Sequence, residues 1–303
     1  MMKVTDNKVN TSLLKPRSGF KFKENFTILR KIIVFHIYNN LNTVRNIAVP
    51  LGFTLILIMA SFSPVGVKDY KVNKIVIDPG HGGRDPGTHG EISREKDVAL
   101  DISLKLGAIM KKYLPEVEVI YTRGGDSYPQ LKERADLANK NGADLFISIH
   151  CNWISNPRIK GTETYVMGIH MNEENLNVAR RENSFITQEE NYEENYNGFD
   201  PDSPESYILF SLYQSAFQES SLKLANNIET QFKDRANRRS RGVKSAGFLV
   251  LWKTSMPSVL VETGFLSNQQ EEKELNDELY QEYIASAIYR AVRDYKKDLE
   301  TSY

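Results

Sequence analysis

The chain has 303 residues, of which 40% are hydrophobic and 26% are charged, as is typical of a globular protein. Its 39 basic residues balance its 39 acidic ones, so no net positive field attracts nucleic acid, and we expect no nucleic-acid partner. Cys151 is the only cysteine, which excludes disulfides and a cysteine-ligated zinc finger. Any metal site must therefore be built from His, Asp and Glu.

Residues 1–70 differ in composition from the rest of the chain. A basic stretch over residues 1–46 precedes an apolar, uncharged segment that starts at residue 47 and continues loosely to residue 67. A basic flank, an apolar segment and small residues after it are typical of an export signal or a short membrane anchor. The leader is long for a signal peptide, which a start codon placed too early would explain. We expect 1–70 to be a leader and 71–300 to be the catalytic domain.

From residue 72 onwards, predicted strands and helices alternate. The strands are predicted at 74–78, 116–122, 143–150, 162–167, 248–251 and 258–262. The helices are predicted at 95–113, 131–141 and 279–296, the first because Val98, Ile102, Leu106 and Ile109 form one apolar stripe. This alternation predicts a single α/β domain with a mostly parallel, twisted sheet flanked by helices.

One polar segment, about residues 169–211, interrupts the alternation and is rich in Asn, Glu, Asp and Tyr. It is long for a connection inside a compact domain, so it is either functional or mobile. We predict a polar helix over 173–190 and a second helix that starts at Ser203-Pro204-Glu205 and runs to Lys233. The predicted fold thus carries an inserted helical or loop segment.

Four residues that can bind metal or transfer protons stand at the ends of predicted elements. His81 follows the first strand, His150 ends the strand "ADLFISIH", and Glu262 ends "SVLVE", while Glu95 starts a helix. Because catalytic groups of open α/β sheets gather at the carboxyl ends of strands, these residues can converge in one crevice. Two imidazoles and one carboxylate form a three-ligand zinc set with an open position, and a further carboxylate can transfer protons.

Each of these residues also has a purely structural interpretation. His81 can be a turn residue, His150 a core histidine, and Glu95 a charge that the helix dipole favours. Glu262 is harder to explain in this way, because a buried charge after an apolar strand costs free energy unless it is paired.

Other candidate ligands and nucleophiles are weaker. His89 lies in the same glycine loop as His81, and spacing alone does not exclude it as a ligand. His36 and His170 have no comparable placement and are interpreted as surface residues. Cys151 is interpreted as a packed residue beside the metal site, because no base partner for a nucleophile is evident.

Six stretches resemble one enzyme family and occur in its order. They are "IVIDPGHGGRDPGTHG", "REKDVAL", "YTRGGDSYPQLKERADLAN", "ADLFISIHCN", "GTETYV" and "PSVLVETGFLSN", and they cover about residues 72–298. The chain thereby resembles the zinc-dependent N-acetylmuramoyl-L-alanine amidases of the amidase-3 type. The resemblance implies one zinc ion held by His81, Glu95 and His150, with Glu262 as the catalytic glutamate. It leaves His89 outside the metal shell.

The resemblance implies hydrolysis of the amide that joins the lactyl group of N-acetylmuramic acid to L-alanine in peptidoglycan. It further implies a role in cell-wall remodelling or daughter-cell separation. Such a substrate lies outside the cytoplasm, so we expect export to the periplasm or cell envelope. The segment 47–67 could anchor the protein in the inner membrane.

The insertion is similar in position to the helical insertion of cell-division amidases in this family. We therefore expect Glu182, or else Glu189, to cap the open metal position until an activator protein pulls the segment away. Two other functions remain open from the sequence: a peptidoglycan-binding module that has lost catalysis, and a zinc hydrolase of another amide. The presence of His81, Glu95, His150 and Glu262 together speaks against the first.

Overall fold

The computed structural model describes residues 30–31, 33–40, 71–170, 172–211 and 216–301. The chain divides into two compact units, Met1–Lys68 and Asp69–Tyr303. In the first unit, residues 30–31 and 33–40 are helical and exposed. The predicted apolar export or anchor segment, 47–67, lies outside the described residues. Within the described ranges, no helix combines the length and the apolar character that a membrane crossing requires.

The second unit is built on a six-stranded sheet. In chain order its strands are β1 (Lys74–Pro79), β2 (Glu118–Tyr121), β3 (Leu145–Asn152), β4 (Thr162–Met167), β5 (Ser240–Ala246) and β6 (Ser258–Phe265). They lie in the order β2-β1-β3-β6-β4-β5, and all neighbours are parallel except β4 and β6. The central strands β3 and β6 are buried along their whole length, because helices cover both faces of the sheet.

The helices are α1 (Glu95–Tyr113), α2 (Leu131–Lys140), α3 (Glu173–Asn183), α4 (Tyr192–Asn195), α5 (Pro204–Ser211), α6 (Gln218–Asp234), α7 (Leu249–Trp252), α8 (Gln269–Leu275) and α9 (Glu278–Thr301). A 3-10 helix, Ser184–Gln188, continues α3. Apolar side chains of α1, α6 and α9 form a core cluster on one face of the sheet. Residues of α2, α3, α5 and α7 form a second cluster on the other face. The α/β architecture with a mostly parallel sheet is confirmed.

Two predictions about the elements are wrong. Of the run Phe248–Leu251, predicted as a strand, Phe248 is the N-cap of the short helix α7 and the other three residues lie in it, because a short apolar run fits a buried turn of helix as well as a strand. The single helix predicted from residue 203 to residue 233 is instead two helices, α5 and α6. The edge strand β5 was not predicted, because its sequence "SRGVKSA" is polar and contains glycine.

Candidate active site

A buried group of metal-competent side chains lies at the carboxyl end of the sheet. It consists of His81, Glu95, His150 and Glu182, and one ligand atom of each lies within 4.8 Å of the others. Strand β1 ends two residues before His81, His150 lies near the end of β3, and Glu95 is the first residue of α1. Glu182 comes from α3 of the insertion. The structure therefore brings together the three predicted ligands and the first predicted cap.

The distances inside this group are short. Nε2 of His81 lies 3.1 Å from a carboxylate oxygen of Glu95 and 3.1 Å from Oε2 of Glu182. Nδ1 of His150 lies 3.0 Å from Oε1 of Glu95 and 3.0 Å from Oε2 of Glu182. Two imidazoles thus face two carboxylates around one point.

The glycine loop lets His81 turn sharply away from β1. His81 itself has a left-handed backbone with φ 59°, which is uncommon for a residue with a side chain and marks a functional or strained position. A Cβ on Gly80 would lie 2.4 Å from the ring of His150, so only glycine fits beside that imidazole. A Cβ on Gly87 would lie 2.6 Å from both Glu95 and the His81 ring, at a φ of 66°.

Two buried arginines fix the turn between β1 and His81. Arg134 donates hydrogen bonds to Asp78 (2.9 Å), to the carbonyl of Pro79 (2.9 Å) and to the carbonyl of His81 (2.7 Å). Arg123 donates one to the carbonyl of Gly80 at 2.7 Å. Because these carbonyls are paired, the backbone that carries His81 cannot rotate freely.

Further buried groups orient the candidate ligands. Asp85 lies 2.8 Å from Nδ1 of His81, and the hydroxyl of Ser148 lies 3.1 Å from Nε2 of His150. Glu95 accepts hydrogen bonds from the backbone amides of Thr88 (2.8 Å) and Cys151 (2.9 Å). Partners of this kind hold the tautomer and ring orientation of metal-ligating histidines. Sequence reasoning missed Asp85, although its spacing of four residues from His81 was visible.

Glu262 lies next to this group on strand β6. It is the register partner of His150, and it is fully buried. In the part of the chain that the structure describes, neither of its carboxylate oxygens has a hydrogen-bond partner, and the nearest cation is Arg181, 3.7 Å away. Burial raises the pKa of Glu262, and the nearby charges of Glu182 and Glu95 raise it further.

The two histidines are shifted as well. Burial alone would lower the pKa of His150, but the charge of Glu182 and the close contacts with the carboxylates of Glu182 and Glu95 raise it to about 9. The same balance, with Glu95 as the main carboxylate, raises the pKa of His81. The raised pKa values show that the carboxylates of Glu95 and Glu182 favour positive charge at this point of the site.

The remaining predicted residues lie elsewhere. Glu189, the second predicted cap, accepts hydrogen bonds from the hydroxyls of Tyr128 and Tyr196, so the structure places it in the packing of the insertion. His89 is exposed and is not a member of the metal-competent group. Cys151 is buried, and its thiol lies 3.3 Å from the hydroxyl of Thr263.

The insertion also covers the site with Arg181, which sequence reasoning did not single out. Its guanidinium donates hydrogen bonds to Glu182, to the side-chain oxygen of Asn152 and to the carbonyl of Trp153, each at 3.0 Å. A cavity of about 500 Å³ borders His81, Arg181 and Trp153. A second cleft, of about 680 Å³, also borders Trp153. Both volumes are in the range of ligand sites.

Comparison with known proteins places this site in a family. Residues 75–294 match the sequence profile described as N-acetylmuramoyl-L-alanine amidase, the amidase-3 family. The chain is 34% identical over 225 residues to N-acetylmuramoyl-L-alanine amidase AmiA of Escherichia coli K12, covering 73% of this chain and 75% of AmiA.

Solved structures agree. The N-acetylmuramoyl-L-alanine amidase of Clostridium difficile 630 superposes with a TM-score of 0.56 and 28% identity, over 74% of this chain and 97% of that one. The CwlD amidase of Clostridioides difficile, solved in complex with the GerS lipoprotein, superposes with a TM-score of 0.54 and 27% identity, over 75% and 99%. The chain therefore belongs to the amidase-3 family and is an N-acetylmuramoyl-L-alanine amidase, which hydrolyses the amide between N-acetylmuramic acid and L-alanine in peptidoglycan.

Proposed function

We propose that the chain cleaves this amide with one zinc ion held by His81, Glu95 and His150, and with Glu262 as the proton-transferring carboxylate. The observation that carries the proposal is the buried four-residue group, whose ligand atoms converge within 4.8 Å. We further propose that Glu182 closes the site in the form described here.

The chemistry of the group fits zinc. It offers two imidazole nitrogens and carboxylate oxygens, the donor set of many catalytic zinc sites. Among the described residues, Nε2 of His81 and Oε2 of Glu182 are buried without a hydrogen-bond partner of suitable geometry, which is costly unless a cation satisfies them. Neighbouring ligand atoms of a tetrahedral zinc site lie about 3.3 Å apart, close to the spacings of 3.0–3.1 Å observed here.

Each residue has a defined part in the reaction. When bound, zinc supplies a Lewis acid that polarises a carbonyl and makes a water molecule more acidic. Glu262 takes a proton from the attacking water and returns it to the L-alanine nitrogen as the carbon–nitrogen bond breaks. Its raised pKa suits both transfers, because a carboxyl that titrates nearer neutrality can hold and release a proton during turnover.

Glu182 supports a closed form of the enzyme. Catalytic zinc sites keep three protein ligands and one open position, whereas four protein ligands make a closed site. Oε2 of Glu182 lies 3.0 Å from Nδ1 of His150, where a fourth ligand would stand, and Arg181 lies over Glu262. While α3 is seated, Glu182 therefore occupies the open ligand position and Arg181 covers the carboxylate of Glu262. An activator protein would have to displace α3.

Localisation and physiological role follow from the substrate. Peptidoglycan lies outside the cytoplasm, so we propose an exported enzyme of the periplasm or cell envelope that acts in wall remodelling or daughter-cell separation. The basic and apolar composition of residues 1–70 supports export.

Sacculus digestion combined with metal analysis tests the mechanism. We expect Glu262→Ala to keep one zinc per chain and to lose turnover by about 10²–10⁴-fold, because only proton transfer is removed. We expect His81→Ala to lose both zinc and turnover.

The products of the same digestion discriminate the alternatives. Release of intact stem peptides supports the proposal, and release of a different fragment indicates another amide as substrate. A zinc-loaded chain that binds sacculi and releases nothing, even with Glu182→Ala, would instead be a binding module.

A further inference from the structure

Helix α3 carries two glutamates that reach the sheet at two separate points. Glu182 reaches the two histidines, and Glu174, eight residues earlier, reaches Arg241 on strand β5, with 2.8 Å between Nη2 of Arg241 and Oε1 of Glu174. Eight residues of α-helix span about 12 Å. The two carboxylates of the insertion therefore contact the sheet about 12 Å apart along the helix, which is the length of a short extended peptide.

Arg241 is held ready for a carboxylate. Its Nε donates a hydrogen bond of 2.6 Å to Glu163, which is fully buried, and its guanidinium lies 5.5 Å from the ring centroid of Phe265. These contacts fix the plane of the guanidinium and leave Nη2 to Glu174. Lys244 adds a second positive charge, 3.7 Å from Glu174.

These residues continue the row of catalytic groups across the sheet. His150 on β3 pairs in register with Glu262 on β6, and Glu262 pairs with Glu163 on β4. Arg241 lies on β5 where the β4–β5 register shifts beside Glu163. Because neighbouring strands are about 4.8 Å apart, Arg241 lies two strands, or about 10 Å, beyond Glu262.

The charges of this part of the row balance only while α3 is seated. Glu163 offsets one of the two positive charges of Arg241 and Lys244, and Glu174 offsets the other. The side chain of Glu174 is 39% exposed, whereas those of Arg241 and Lys244 are 18% and 14% exposed. If α3 is displaced, Arg241 and Lys244 lose the carboxylate of Glu174 while their side chains stay largely buried. One positive charge is then unpaired, which favours binding of another anion in its place.

The substrate supplies an anion at the right distance. An extended peptide advances about 3.3–3.6 Å per residue, so 12 Å corresponds to three or four residues. A stem peptide whose scissile carbonyl takes the place of the Glu182 carboxylate would bring its third residue, and a carboxylate that branches from its second residue, towards Arg241. We propose that Arg241 and Lys244 form a subsite for a stem-peptide carboxylate, and that Glu174 fills this subsite while α3 is seated. The proposal rests on the proposed function, because it takes the scissile bond to lie at the His81–His150 group.

The full-length Glu174→Ala/Glu182→Ala variant is the background for the test, because it removes both carboxylates through which α3 contacts the histidines and Arg241. Arg241→Gln is then added, so that its effect on substrate is not mixed with an effect on the insertion. Glu163 keeps Lys244, Tyr165 and Asn152 as partners in this variant, so its buried charge stays paired. Arg235→Gln, at an exposed arginine directly after α6, is the matched control for loss of one positive charge.

The substrates are three muramoyl tripeptides that carry one carboxylate on the second residue and one on the third. In the first substrate both carboxylates are free, in the next the second-residue carboxylate is amidated, and in the last the third-residue carboxylate is amidated. In the Glu174→Ala/Glu182→Ala background we expect about tenfold higher kcat/KM, mainly through KM, for the free form over one of the amidated forms. Either amidation supports the subsite and identifies the residue recognised. Arg241→Gln should abolish the preference, and Arg235→Gln should leave it intact.

Equal turnover of all three substrates, or an equal loss on all three with Arg241→Gln, would overturn the subsite. Calorimetric binding of the free tripeptide gives a readout that does not require turnover. There we expect Arg241→Gln to raise Kd about tenfold. Such an effect without any hydrolysis would keep the subsite and reject the zinc mechanism, so the two failures are distinguishable.

Discussion

The floor of the active site and the insertion that covers it are stabilised in different ways. The floor is made of strand ends and a glycine loop, and its charged groups are buried and bonded to backbone atoms, as Arg134 and Arg123 are. The insertion, residues 172–211, contributes apolar side chains to the second core cluster and reaches the floor through Glu174, Arg181 and Glu182. The difference indicates that the floor is held by its own hydrogen bonds, and we expect the insertion to be the part that can separate from it.

The largest expected effect tests the rigidity of the floor. Arg134→Met should lower the free energy of unfolding by about 3–5 kcal/mol, because it leaves buried Asp78 without its cation and removes the hydrogen bonds that Arg134 donates to the carbonyls of Pro129 and His81. Urea denaturation measures the change. Arg158→Met, at an exposed arginine, is the control and should stay within about 0.5 kcal/mol of wild type. A similarly small change for Arg134→Met would contradict a rigid floor.

A smaller effect, on metal affinity, is expected where the floor orients the proposed metal ligand His81. Asp85→Asn should weaken zinc binding about 10- to 100-fold, because Asp85 orients His81 through a contact of 2.8 Å. Competition with a chelating dye measures the affinity, and Asp101→Asn, at an exposed residue of α1, is the control. Unchanged affinity for Asp85→Asn would show that His81 needs no orienting partner.

The cover is tested by releasing it without touching the floor. Glu182→Ala should raise basal sacculus hydrolysis about tenfold, because it removes a charge-assisted contact to the metal group worth about 1.4 kcal/mol or more. Glu190→Ala, an exposed residue of the same insertion, should have no effect. Deletion of residues 172–205 with no gain in hydrolysis would argue against an inhibitory cover.

The smallest expected effect is the change of the unfolding free energy with pH. Burial alone would raise the pKa of Asp78, but Arg134 and the hydroxyls of Ser148 and Thr122 outweigh it, so the pKa lies below 3.8. A carboxyl with a lowered pKa stabilises the fold above its unfolded pKa, and this contribution is lost as the pH falls through its folded pKa. The difference in unfolding free energy between wild type and Asp78→Asn should therefore be present at pH 7 and shrink below about pH 4. A constant difference would mean that Asp78 is not charged in the folded state.

Local pattern was sufficient for the elements that carry the site. The apolar stripe of Val98, Ile102 and Leu106 predicts α1 with the bounds that the structure has, and all three side chains are buried. The apolar runs before His150 and Glu262 predict β3 and β6, because buried parallel strands have continuous apolar sequences. The roles of the site residues came from the resemblance and stay predictions.

Residues that act through long-range contacts could not be predicted in this way. Arg134 has the sequence environment of an ordinary amphipathic helix, yet it lies fully buried 55 residues from the Pro79 carbonyl that it binds. Arg241 lies on an edge strand whose polar sequence gave no strand signal. Asn152 and Arg181 meet only because the insertion folds back over the sheet. Such contacts depend on the tertiary fold, which a single sequence does not reveal.

The buried thiol of Cys151 affects how the enzyme responds to oxidants and reductants. Burial raises the pKa of the thiol, so it stays protonated and is a poor nucleophile toward peroxides or disulfides. Because the sequence has no second cysteine, its folding needs neither a thiol oxidase nor a disulfide isomerase, and reductants have no internal disulfide to break. The fold should therefore tolerate swings in ambient redox potential that would inactivate a disulfide-stapled hydrolase.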